Sequence, residues 1–256
     1  MGIASLCLWA IGARAEDPLA FAPAPEGLGR ALAGWVAQDR IGGAVLAVAR
    51  RGEPPVAATA GSLDGERPMR ADAVFRIYSM TKPVVCAAAL TLVEEGRLAL
   101  GDPVRRYLPE FAGLLALRTP ESRLEDVGAL EREPTIRDLL THTSGITSAD
   151  WEGGPLRRAY VERGIQDRRS PGGLAEMVRR LAALPLLHPP GRTWTYGEST
   201  TVLGRVLEVA SGEPLDALLR HRVFEPLGMR DSGFVVTPPQ RERFAVHRRP
   251  RDRPVG

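Results

Sequence analysis

Ser79 and Lys82 stand three residues apart in the run Tyr78-Ser79-Met80-Thr81-Lys82-Pro83, and together they could carry out nucleophilic acyl transfer. On a helical turn, positions i and i+3 share a face, which brings the hydroxyl within reach of the amine. Lys82 is the only lysine in a 256-residue chain that contains 33 arginines. Arginine keeps its proton near neutral pH, whereas a lysine amine releases one when desolvated or set beside other cations. A solitary lysine in an arginine background therefore marks a position that needs a removable proton or a compact ammonium. A neutral Lys82 amine could take the Ser79 proton as the hydroxyl attacks a carbonyl carbon. The four-residue pattern alone also describes a helix N-cap followed by an exposed lysine, which is the commoner case.

The elements around the pair are readable. Pro83 fits only in or near a first helical turn, which places the helix start at about Ser79. A serine there lies beside backbone N–H groups without helical partners and at the positive end of the helix dipole. Residues 84–93 are apolar except for Thr91, so this helix is expected to be buried all round, with Gly96 as its stop. Upstream, the Pro/Gly-rich stretch 22–27 leads into Leu28, Ala31, Leu32, Trp35 and Val36, spaced as one face of an amphipathic helix. The apolar runs 44–49 and 56–60 suggest a β-hairpin beside that helix. Downstream, helical patterns recur at 135–140, 174–184, 200–210 and 214–223, and 231–237 is expected to form one more strand.

A resemblance then emerges from longer stretches. Phe75-Arg76-Ile77-Tyr78-Ser79-Met80-Thr81-Lys82-Pro83 resembles the nucleophile segment of the family VIII carboxylesterases, which are related to the class C β-lactamases and penicillin-binding proteins. Asp102-Pro103-Val104 with Tyr107-Leu108-Pro109-Glu110-Phe111 is similar to the same group, as is Thr135-Ile136-Arg137-Asp138-Leu139-Leu140-Thr141-His142-Thr143-Ser144-Gly145. The resemblance implies an α+β, β-lactamase/transpeptidase-like fold, with an antiparallel sheet flanked by helices and a mostly helical region. The activity it implies is that of a serine hydrolase forming a Ser79 acyl-enzyme on carboxylic esters or related acyl substrates. A D-amino-acid peptidase, a β-lactam hydrolase and a catalytically inactive truncated relative stand as alternatives.

By the same resemblance, Pro190-Gly191-Arg192-Thr193-Trp194-Thr195-Tyr196-Gly197-Glu198 carries the second catalytic element. Tyr196 would be a general base whose phenol is acidified by the Lys82 ammonium; whether Lys82 or Tyr196 is the formal base stays open. Glu198 occupies a position where β-lactamases carry an asparagine that holds the substrate amide, which favours the esterase branch. Trp151 and Trp194 either line a substrate cleft or belong to the core. His142 and Ser144 invite a Ser–His hydrolase reading, but the chain has no G-x-S-x-G elbow, and in the family this turn is structural. No K-T-G or H-x-G triplet, the family's third element, follows Gly212. The domain is therefore expected to be truncated at its C-terminus, with apolar surface and a sheet edge left uncovered and half of the oxyanion hole missing.

The composition limits the remaining function classes. The net charge of +3 is concentrated after Gln240, where six arginines face Glu242 and Asp252; the rest of the chain is near −1. No basic face is left for nucleic acid. The spacing of four histidines and two cysteines supports neither a metal site nor a disulfide framework, and no cofactor is implied. No run is long enough to span a membrane. Residues 1–15 read as a signal peptide, with Ala13-Arg14-Ala15 before Glu16 as the cleavage site, although basic residues are lacking at its start. Residues 16–237 form the hydrolase domain and residues 238–256 an Arg/Pro-rich tail. The expected location is periplasmic or secreted, with cytoplasmic as the alternative. The expected partner is a small ester or amide substrate.

Overall fold

The structure is a computed structural model that describes residues 21–149, 154–165 and 172–246. These fall into two compact units. One draws on Met1–Tyr78 and Leu227–Gly256, the other is Ser79–Pro226. Residues 1–15, expected to be a signal peptide, Trp151 and residues 247–256 lie outside the described residues.

The first unit is a small sheet with one helix. Strand β1 (Ala22–Pro23) leads into α1 (Glu26–Ala37), and β2 (Gly43–Val48) and β3 (Val56–Gly61) follow. The expected hairpin is present: β2 and β3 run antiparallel, in register from Gly43 opposite Gly61 to Val48 opposite Val56. The strand order is β1-β3-β2, and the two-residue β1 pairs with β3 in parallel. Gly61 has φ +77°, and a Cβ there would lie 2.4 Å from the Gly42 carbonyl oxygen, so the close crossing of β2 and β3 requires glycine. Of the apolar stripe on α1 only Leu32 is buried, while Leu28 and Trp35 remain exposed. A three-stranded sheet is too narrow to cover the whole stripe.

One expectation for this unit is corrected. Residues 231–237 form turns rather than a strand, with Phe234 and Val235 exposed; among the described residues no neighbouring strand accepts their backbone groups. At residue 238 the chain enters α8 (Pro238–Arg241), closed by a capping box between Thr237 and Gln240. Arg243 then grips Asp231 with both guanidinium arms (2.6 and 2.9 Å) and donates to the Asp72 carbonyl (2.7 Å). Phe244 pairs alongside Val74 and lies under the Arg76 guanidinium, 4.9 Å from the ring centre. Arg243 is thus held by carboxylate and carbonyl partners, and Phe244 by a cation over its ring, which composition alone does not reveal.

The second unit is mainly helical, as expected for 135–210. It opens with a 3-10 turn at Tyr78–Met80 that runs into α2 (Thr81–Glu94). Two further 3-10 turns, Val104–Arg106 and Pro109–Phe111, precede a short antiparallel pair, β4 (Leu115–Leu117) and β5 (Val127–Ala129). Then come α3 (Ile136–Leu140), α4 (Gly154–Glu162), α5 (Gly173–Ala182), α6 (Ser199–Ser211) and α7 (Leu215–Leu219), the last continued by a π-helical turn, Arg220–Phe224.

Helix α6 is the hub of this unit, with α2, α3, α5 and α7 all packed against it. Val202, Leu203, Val206 and Leu207 are completely buried, as are Ala88, Ala89 and Leu92 of α2. Burying each of the valine and leucine side chains contributes about 1.5–3 kcal/mol, and each alanine methyl less than about 1 kcal/mol. Helix α2 is not buried all round, however. Pro83, Ala87, Leu90 and Glu94 form an exposed stripe on the side away from α6, and Leu90 is 47% exposed. Gly96, at φ +70°, ends the chain's helical course as expected.

Candidate active site

Helices α2 and α6 bring two distant segments together. Pro83 is the third residue of α2, which leaves Ser79 in the preceding 3-10 turn, two residues before the helix proper. Tyr196 lies three residues before α6, at the entrance to the buried hub. Lys82 Nζ is 3.3 Å from Ser79 Oγ, so the i, i+3 spacing does place the amine on the hydroxyl. The Tyr196 hydroxyl reaches the same oxygen at 2.6 Å, and Lys82 Nζ lies 4.7 Å from the tyrosine ring centre.

This arrangement acidifies the phenol. Hydrogen bonds to Lys82 and then to Ser79, aided by the Lys82 charge, hold Tyr196 below the usual tyrosine range, against partial burial and the Glu198 charge. Ser79 therefore meets an ammonium or amine on one hand and an acidified phenol on the other. The first turn of α2 contributes backbone N–H groups of the kind that stabilise a developing oxyanion.

A second loop fixes the tyrosine segment. The turn 141–147 and the stretch 186–199 are laced by backbone bonds: Gly191 N to Thr143 O (2.7 Å), Thr195 N to His142 O (2.8 Å) and Glu198 N to Thr147 O (3.1 Å). Ser144 Oγ and Ser199 Oγ are 2.9 Å apart in the core, and His188 Nε2 is 2.5 Å from Thr195 Oγ1. Gly197 permits the close approach, since a Cβ there would sit 2.5 Å from the Thr147 carbonyl group. The turn 141–147 is in its turn anchored by Asp138 of α3. Its carboxylate accepts from both arms of Arg132 (2.6 and 2.9 Å) and from Thr135 N, Thr135 Oγ1 and Thr143 Oγ1. Burial pushes the Asp138 carboxyl up, but these donors prevail and hold it at about 2.

The other candidates are placed as follows. Trp194 is 63% exposed and tilts toward both Tyr196 (6.2 Å between ring centres) and His142 (6.1 Å), so it belongs to the rim of the site and not to the core. Glu198 follows the tyrosine, and its Oε2 accepts from Thr201 Oγ1 at 2.5 Å at the start of α6. Ser144 is fully buried and serves the core. His142, read from sequence as part of a structural turn, proves to be stacked on Tyr196 with ring centres 5.2 Å apart. Only three-dimensional proximity exposes that contact; no spacing in the sequence signals it. Among the described residues no group of three or more His, Cys, Asp or Glu gathers as a metal site. No helix among them is long and apolar enough to cross a membrane.

Comparison with known proteins gives the family. The Beta-lactamase family profile matches residues 28–256. The chain belongs to the beta-lactamase family. Esterase EstB of Burkholderia gladioli is 45% identical over 213 residues, 82% of this chain and 50% of the esterase. The solved structure of EstCE1, described as a hydrolase with promiscuous acyltransferase activity, superposes with a TM-score of 0.71 at 33% identity. It covers 84% of this chain and 54% of EstCE1. Unliganded simvastatin synthase from Aspergillus terreus gives a TM-score of 0.69 at 28% identity, covering 88% of this chain and 58% of that one. The α+β, β-lactamase/transpeptidase-like fold read from the sequence is thus the fold of this family member. The chain spans about half the length of the curated relatives it matches.

Proposed function

We propose that this family member is a serine hydrolase of carboxylic esters that works through an acyl-enzyme on Ser79. The observation that carries the reading is the convergence of Lys82 Nζ and the Tyr196 hydroxyl on Ser79 Oγ. In acylation, Ser79 Oγ forms a bond to the ester carbonyl carbon and its proton passes to the Tyr196 oxygen or the Lys82 amine. The tetrahedral oxyanion collapses, the bond to the alcohol oxygen breaks, and the departing alkoxide takes up the proton. Water then attacks the acyl-enzyme with the same base accepting its proton, which releases the acid and restores the Ser79 hydroxyl.

Trp194 supplies an exposed apolar face beside the nucleophile, suited to the hydrocarbon part of a small ester. Glu198, in place of an amide side chain, supports an ester over a β-lactam. The names of the relatives, esterases and acyltransferases among them, support the same substrate class. Export belongs to the proposal as well: residues 1–15 act as a signal peptide, and N-terminal sequencing of secreted protein starting at Glu16 tests it.

Intact-mass analysis after treatment with a fluorophosphonate probe tests the enzyme reading. A single adduct on Ser79, lost in Ser79→Ala, is expected. A folded protein that takes up no adduct is an inactive relative, and the proposal fails.

A further inference from the structure

His142 occupies an unusual position in the turn 141–147. Its backbone sits at φ +56°, in the left-handed region that histidine and asparagine enter more readily than most residues. Its carbonyl accepts from Thr195 N, one residue before Tyr196. The imidazole lies nearly parallel to the Tyr196 ring, with 21° between the planes, and Nε2 is 3.4 Å from Thr200 Oγ1. Nδ1 is buried and has no hydrogen-bond partner among the described residues. A ring placed for its nitrogens would not leave one of them unsatisfied. Here the face of the ring is what the structure uses.

Tyr196 needs such a support. It is 41% exposed, and its only role in the core is to lead into α6. A half-exposed phenol on a turn has several rotamers open to it, and only one brings its oxygen to Ser79. We propose that His142 is the positioning residue of this site: its imidazole is the wall on which the Tyr196 ring stacks, so that the phenol oxygen meets Ser79 and Lys82. The inference rests on the reading of Ser79 as nucleophile and Tyr196 as its proton acceptor. Burial, with Lys82 nearby and against Glu198, keeps His142 below the usual imidazole range, so a neutral ring faces the phenol. An aromatic stack of this kind corresponds to a factor of roughly ten in occupancy of the aligned rotamer.

Two variants separate the ring from the backbone. His142→Asn tolerates the left-handed backbone but lacks the ring; His142→Phe restores a ring without nitrogens. Each is read in two ways: by ultraviolet titration of the Tyr196 phenol, with the spectrum of Tyr196→Phe subtracted, and by the rate of fluorophosphonate labelling of Ser79. In His142→Asn the Tyr196 titration is expected to move up toward the ordinary tyrosine value, because the bonds to Lys82 and Ser79 are lost, and labelling to slow about tenfold. In His142→Phe both are expected to return to within about twofold of the native protein. Native-like titration in His142→Asn, or a folded His142→Phe that fails to rescue, overturns the proposal. If neither variant folds, the proton spectrum of the native protein decides: the His142 Cε1–H resonance must move when Tyr196→Leu removes the facing ring, and an unmoved resonance overturns it. If the native protein takes up no probe, the esterase reading fails, and the titration still tests His142.

Discussion

The Tyr196 hydroxyl lies 2.6 Å from Ser79 Oγ, although 117 residues of chain separate them. Two pieces of buried packing close that distance. Ala88, Ala89 and Leu92 fix α2 against α6, and the lacing of 141–147 to 186–199 sets the path by which the chain enters α6. Neither residue is itself buried, so the precision of the contact is inherited from the helices behind it.

The phenol should govern the pH dependence. Tyr196 acts as a base only when deprotonated, and its hydrogen bonds to Lys82 and Ser79 lower its titration. The acylation rate should therefore rise with pH, with a midpoint below the ordinary tyrosine value of about 10. Tyr196→Phe should flatten that rise and slow acylation by about 10²- to 10⁴-fold, with the melting temperature little changed. Stopped-flow release of a nitrophenol from its ester reads both effects; an unchanged profile in the variant would remove Tyr196 from the mechanism.

Replacing Lys82 by arginine keeps the charge but removes the transferable proton and the compact ammonium. Fluorophosphonate labelling of Ser79 should then be abolished. Retained labelling in Lys82→Arg would show that the lone lysine is not there for its proton.

Gly197 tests the lacing. A Cβ at this position would meet the carbonyl carbon and oxygen of Thr147 at 2.5 Å, and backbone cannot swing aside as a flexible side chain does. Gly197→Ala should push Tyr196 off Ser79 and cost about 1–3 kcal/mol of stability. Chemical denaturation and the esterase assay together check it; a fully active, equally stable variant would contradict the close approach.

Asp138 predicts an acid limit. Its carboxyl is held at about 2, below the unfolded value of about 3.9. A depressed carboxylate contributes stability above its unfolded pKa and loses it as the pH falls through the folded one. The contribution, on the order of 2 kcal/mol, should be complete above about pH 4 and fade toward pH 2. Denaturation curves of the native protein and Asp138→Asn should differ by that amount at neutral pH and converge in strong acid. Parallel curves across the range would refute the assignment.

Much of this was legible in the sequence because it is local. Leu32 on an amphipathic stripe, Pro83 near a helix start and Gly96 at a helix end each act within a turn or two, and α1 and α2 follow from them. The Ser79–Lys82 contact is likewise an i, i+3 relation. Tyr196 became visible only through resemblance, and the stack on His142 not at all, because both depend on how α3 and α6 dock. Strands β4 and β5, three residues each, are too short to show alternation and exist because the chain pairs there. Helix α4 starts at Gly154 and carries a mixed charged face that gives little signal. The exposed stripe on α2 escaped notice because an all-apolar run reads as buried whatever covers it.

The single lysine has a practical side. Lys82 is partly accessible and sits against Ser79. Apart from the α-amino group, no other primary amine exists in the chain. A reagent that acylates amines therefore finds one side chain on this molecule, and it is in the proposed active site. Fluorescent tags, surface immobilisation or mass labels introduced through amine chemistry would mark that place and the α-amino group alone.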